Sequence, residues 1–224
     1  MHRDEQHTVS LADALVAEIK AVLDSVPASR RTEILRGITD FFLQGATLYS
    51  KDQMAMFDEV FVTVTEHADR DALVELSKRL MSCARAPSTL IRKLASHPDL
   101  KISGVLLKEG SALTDEELAA IVATASPSHL MIIASRDNIG ETVTDALISR
   151  GNSDIMRVFV ANPKARVSHV GFVKLINAAK RDGSLTEIVA ARADLPDELK
   201  PFIGMLRRAS GPAQAGTPSA AAAG

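Results

Sequence analysis

Apolar side chains recur along this chain at the spacing of an α-helix. Leu11, Leu15, Ile19, Val22 and Val26 make one stripe, and Ile34, Ile38, Phe41 and Phe42 make the next. Alternation of period two is scarce, and its one candidate is VFVTVT at Val60 to Thr65. Even there, Met54, Phe57, Val60, Phe61 and Val64 continue a 3.6-residue stripe with Asp58 and Glu59 on the opposite face, so the spacing predicts helix.

Residues that cap or stop helices separate the stripes. Thr114 and Glu117 have the spacing of a capping box, Ser29, Ser153 and Ser184 each open an apolar run, and Pro196 suits a first turn. Gly45, Gly110, Gly151 and Gly183 fall where helices are expected to stop. Together these signals predict helices over 9–25, 29–44, 51–67, 70–84, 87–96, 99–108, 115–125, 127–136, 140–149, 153–161, 167–181, 184–193 and 196–207. Short loops between them make antiparallel neighbours the natural arrangement.

From residue 87 the helices pair, and the corners repeat. LASHPDL at Leu94 to Leu100, IASRDNI at Ile133 to Ile139 and VAARADL at Val189 to Leu195 align, and FVANPKA at Phe159 to Ala165 adds a corner at shifted register. About 65 residues separate Pro98 from Pro163, and in that register Lys101 falls on Arg166, Ile102 on Val167 and Ser103 on Ser168. One helix pair cannot bury its apolar face alone, so repeated pairs stack and share a core. The expectation is an all-α chain. A bundle of helices over 9–86 continues into stacked antiparallel pairs, an α-solenoid, over 87–208, with unstructured ends at 1–8 and 209–224.

The corners resemble those of HEAT-type repeats, in which the second helix follows an Asp-Pro corner with a Val-Arg pair. His97 and Asn162 stand at the Asp position here, and Ser103 and Ser168 at the Arg position, so the resemblance is to a HEAT-like class. Ile34 to Val60, Leu113 to Asn152 and Asn162 to Ala179 also look like an uncharacterised domain family of alphaproteobacteria with HEAT-like helices. That resemblance implies the fold and a bacterial cytoplasmic setting, and supplies no reaction.

Composition narrows function mainly by exclusion. Aromatic residues are 4% of the chain and Trp is absent, which leaves little to stack on bases or sugars. The formal net charge is −2, not the footprint of a nucleic-acid binder. A lone Cys83 forms no disulfide within the chain, which suits a reducing compartment. The polar opening MHRDEQHTVS is unlike a signal segment, and no apolar run is long enough for a membrane span. Cytoplasmic placement without membrane insertion is expected.

No motif for chemistry emerges. The six histidines form no H-x-x-x-H or H-E-x-x-H pair, so no metal site is expected. His97 stands out because it occupies a corner where a carboxylate is usual. Ser103, Ser135 and Ser168 lack a nucleophile elbow and a matched His/Asp pattern, and read as caps or corner residues. Asp115, Glu116 and Glu117 meet the dipole of a helix's first turn. No catalytic residue and no cofactor are assigned.

What remains is a surface for another protein. Lys101, Lys108, Arg166, Lys174, Lys180 and Arg181 belong to second helices, which in many solenoids line the concave side, and are the candidate partner-binding face. Phe41, Phe42, Met54 and Phe57 are candidates for self-association, with a homodimer through the N-terminal bundle as the expectation. The leading reading is a non-enzymatic scaffold or regulatory protein. Its alternative is a nucleic-acid-binding HEAT-like protein, related in shape to alkylpurine DNA glycosylases.

Overall fold

The computed structural model describes residues 11–210; the expected unstructured ends lie outside the described residues, except that the last helix runs on through Ser210. The fold is all-α. Among the described residues there are thirteen α-helices and one 3₁₀ turn, with no strand beyond an isolated bridge. The chain divides into two compact units between Arg136 and Asp137, inside the segment read as repeats.

The first unit holds α1 (Leu11–Ser25), α2 (Ala28–Gly45), α3 (Lys51–Glu66), α4 (Arg70–Leu80), α5 (Ser88–Ala95), α6 (Leu100–Glu109), α7 (Asp115–Thr124) and α8 (Pro127–Ala134). Alternate helices pack on one another. α1, α3 and α5 form one rank and α2, α4, α6 and α8 a second. Each rank buries an aliphatic stripe, with Leu76, Leu80, Ile102, Leu106 and Leu130 in the even rank and Val60, Val64, Leu90 and Leu94 in the odd one.

The second unit holds α9 (Glu141–Ser149), α10 (Ser153–Val160), α11 (His169–Ala179), α12 (Gly183–Ala190), a 3₁₀ turn (Asp197–Leu199) and α13 (Lys200–Ser210). It alternates the same way, α9 on α11 on α13 and α10 on α12, around Val143, Leu147, Phe159, Phe172, Leu175, Leu185 and Val189.

Local signals placed most boundaries. VFVTVT lies inside α3, and Ser50 opens that helix with a capping box. The Thr114–Glu117 box is formed as expected, with reciprocal bonds of 3.2 and 3.0 Å. Gly151 follows α9 at φ 72°, a left-handed conformation that favours glycine.

Other boundaries differ. Pro27, not Ser29, precedes α2; Asn152 and Asp182 cap α10 and α12 ahead of Ser153 and Ser184; and Gly183 opens α12 instead of stopping α11. α4 ends at Leu80, four residues early. Pro87 precedes α5 without a side-chain acceptor, and Asp58 of α3 supplies one, accepting from the N–H groups of Thr89 at 2.9 Å and Leu90 at 2.8 Å.

The corners at Pro98 and Pro163 make a like turn, but the helices that follow them begin at different positions. His97 Nδ1 accepts from the Asp99 N–H at 3.0 Å, and Asn162 Oδ1 accepts from the Lys164 N–H at 2.9 Å, the same turn made by different side chains. Asp99 then caps α6 by accepting from the Lys101 N–H. Lys164, its counterpart, has no acceptor, so α11 waits for Ser168, which accepts from the Gly171 N–H at 2.9 Å. Ile102 therefore lies inside its helix and Val167 just before its own, although both are buried.

Candidate protein-binding groove

The carboxylate of Asp145 positions α11. Ser168 donates to both its oxygens, at 2.9 and 3.0 Å, while capping the helix. A Cβ on Gly171 would lie 2.8 Å from Asp145 Oδ1, so glycine permits this close approach to α9. α11 turns Phe172, Leu175 and Ala179 inward. Its outer face carries Val170, 59% exposed, and Val173, 39%, with Lys174, Asn177 and, just past the helix, Lys180 and Arg181.

α13 meets this face from the end of the chain. Ile203 is buried, and Arg207 holds Glu187 of α12 at 2.8 Å, which fixes the rotation of the helix. Phe202 and Met205 are then left 53% and 52% exposed. Between α11 and α13 runs a groove of about 340 Å³, walled by Val173, Ile176, Leu199, Phe202, Met205 and Leu206. Asn177 and Lys180 are its polar lining residues, and no carboxylate lines it.

The six basic candidates divide between the units, Lys101 and Lys108 on α6 and the other four on or beside α11. All six are exposed, and among the described residues none has a side-chain hydrogen bond or ion pair. Lys180 lines the groove, while Lys174 and Arg181 stand on the same helix and at its end. Phe202 and Met205 carried no functional assignment from sequence.

Of the self-association candidates, Phe42 is corrected to a core residue. It is fully buried, edge-on to Phe57 at 5.1 Å and Phe61 at 5.5 Å. Phe41 is 63% exposed, and Met54 and Phe57 are half-buried. Tyr49 packs on Phe57 at 4.7 Å and donates to the Phe41 carbonyl at 3.1 Å.

One Ser–His contact went unseen in the sequence. Ser103 Oγ and His129 Nε2 are 3.1 Å apart and buried, but the same nitrogen lies 3.0 Å from the His97 carbonyl. A carbonyl only accepts, so Nε2 carries the proton. The Ser103 hydroxyl donates to the Asp99 carbonyl, and Ser126 faces Nδ1 at 2.6 Å. This imidazole cannot take the Ser103 proton; it ties α8 to the preceding corner.

Two arginines tie later corners in the same way. Arg136 donates to the carbonyls of Leu107 at 2.5 Å and Gly110 at 3.2 Å, and burial lowers the pKa of its guanidinium from the ordinary value against the opposing pull of Asp115. Arg192 donates to Val160, Asn162 and Ala165 at 2.9, 3.0 and 2.6 Å. The two arginines hold the same place in aligned corners. Ile139 and Ala165, also equivalent, pair directly as a parallel bridge.

Residues 102–201 match the family model of an uncharacterised protein conserved in bacteria, DUF2336. The DUF2336 match takes in both arginine corners and the whole of α11, and stops just before Phe202. Leu113–Asn152 and Asn162–Ala179, where the family resemblance was read from sequence, lie inside it, and Ile34–Val60 lies outside. No curated protein matches the chain, and no solved structure does. Among the described residues, no helix is long and apolar enough to cross a membrane, and no cluster of three or more His, Cys, Asp or Glu side chains is arranged to hold a metal.

Proposed function

We propose that this protein is a non-enzymatic helical-repeat scaffold or regulator of the bacterial cytoplasm, which binds another protein through the groove between α11 and α13. The observation that carries the reading is the apolar exposure of Phe202 and Met205 on α13, beside a groove with α11. Large apolar side chains left exposed side by side ordinarily mark an interaction site. Here they wall an apolar groove of a kind that accepts a helix. The alternation of helices in each unit supports the repeat architecture, and the corner bonds of His129, Arg136 and Arg192 support a rigid platform.

Photo-crosslinking in bacterial cells tests the reading. A benzophenone side chain in place of Phe202 is expected to yield a discrete adduct heavier than the chain, which the same group in place of the exposed Glu141 does not. No adduct at either position, or equal adducts at both, overturns it.

A further inference from the structure

We infer that the occupant of the α11/α13 groove is an amphipathic helix of a different protein, its apolar stripe edged by Asp and Glu; this rests on the protein-binding reading above. The walls ask for a hydrophobic stripe, and the charges around them choose its flanks. Lys180 is the charged side chain that lines the groove. Lys174 stands on α11, Arg181 just past its end and Arg208 on α13, each without a side-chain hydrogen bond or ion pair among the described residues. Of the unit's other cations, Arg157 pairs with Asp154 and Asp182, Arg192 with Asp194, Lys200 with Asp197 and Arg207 with Glu187, while Lys164 and Arg166, ahead of α11, also lack an ion pair among the described residues. The unit carries eleven Lys and Arg against nine Asp and Glu, and Lys174, Lys180, Arg181 and Arg208, without an ion pair among the described residues, stand on or just past the two helices that wall the groove.

A second copy of this chain fits poorly. A two-fold contact through this face places the same patch on both sides, which sets Lys180, Arg181 and Arg208 against like charges around an apolar centre. A partner helix with acidic flanks turns the same charges into attraction. α13 has eleven residues, about 16 Å at the helical rise, so three turns of a partner span it with anchors at i, i+3 or i+4, and i+7.

The experiment uses the full chain and two fluorescent synthetic helices of about fifteen residues, near the minimum length for an isolated helix. Both have Leu at i, i+3, i+4 and i+7; one has Glu on its flanks, the other Lys. By fluorescence anisotropy at low salt, the Glu probe is expected to bind at least about tenfold more tightly than the Lys probe, in keeping with charge complementarity at a contact. Lys180→Glu is expected to narrow or reverse that preference, and Phe202→Ser to weaken both probes. These side chains are exposed, and circular dichroism melts verify that the variants fold.

Failure of both probes to bind, or binding indifferent to Phe202→Ser, overturns the groove reading and the inference together. Equal binding of the two probes, each weakened by Phe202→Ser, preserves the groove and overturns the acidic partner. A dimer that Phe202→Ser converts to monomer assigns the face to a second copy. Cosedimentation with phosphatidylglycerol vesicles that Phe202→Ser abolishes assigns it to lipid. Either of these last results overturns the inference.

Discussion

Arg192 donates from Nη1 to the carbonyl of Asn162 at 3.0 Å, across thirty residues of chain. Its side chain is 5% exposed, and its donors also reach Val160, Ala165 and both oxygens of Asp194. A planar guanidinium can serve these acceptors at once; an ammonium cannot. Arg192→Met is expected to lower stability by about 2–4 kcal/mol, because buried carbonyls lose their donors. Arg192→Lys should recover only a small part of that loss. Chemical denaturation of the two variants measures both, and a lysine variant as stable as wild type would mean that the carbonyl contacts are incidental.

His97 and Asn162 make the same corner turn. Each accepts from the backbone N–H two residues on. His97→Asn is therefore expected to be nearly neutral, whereas His97→Ala loses the acceptor and costs about 1 kcal/mol, as for other side-chain caps. Thermal melts decide the matter, and an alanine variant that melts with wild type would remove His97 from the corner's support.

Ile102 and Val167 are buried at matched positions, while their neighbours Lys101 and Arg166 are exposed. Ile102→Asp and Val167→Asp each strand a carboxylate among aliphatic side chains, with an expected loss of about 3 kcal/mol or more. Lys101→Ala and Arg166→Ala should stay within about 0.5 kcal/mol of wild type. Differential scanning calorimetry of the four variants separates core from surface, and a tolerated Asp at either site contradicts the packing described here.

Acid should weaken the contact between Asp99 and Arg70. The Arg70 hydrogen bond first, and the Lys101 N–H second, hold the Asp99 carboxyl below its ordinary value of 3.8. A depressed folded-state value stabilises the fold above the unfolded pKa, and that contribution is lost as pH falls through the folded one. Glu75 beside Arg36 follows the same sign from 4.5. Asp99→Asn keeps a capping oxygen and drops the charge, so its Tm deficit should be largest near neutrality and close at pH below 3.8. A deficit that stays constant to the acid limit would trace to the cap, not to the ion pair.

Much of the helical layout was legible because a 3.6-residue stripe and a cap are decided within a few residues. The α3 segment VFVTVT was read as helix from its stripe against its β-branched composition. The capping box of α7 was read from Thr114 and Glu117 alone. Less was legible where two local signals competed. Ser29 looked like a cap, but the chain had already turned at Pro27, and Lys164 could not start a helix where Asp99 could.

The groove was half legible. Lys180 and its neighbours were picked out from their place on second helices, while Phe202 and Met205 looked like any other stripe residues. Phe41 and Phe42 are consecutive, so about 100° of helical turn separates them, and either one could have faced inward.

By itself, the sequence determined that this chain is helical and where most helices begin and end, since these follow from side chains within a turn of one another. Only the tertiary structure decided that His129, Arg136 and Arg192 bind carbonyls some thirty residues away, that Phe42 is core, and that Phe202 and Met205 line a groove against α11. Those outcomes depend on which helix lies against which, and pairing between distant segments is set by the packing of the whole unit, not by any one stretch of it.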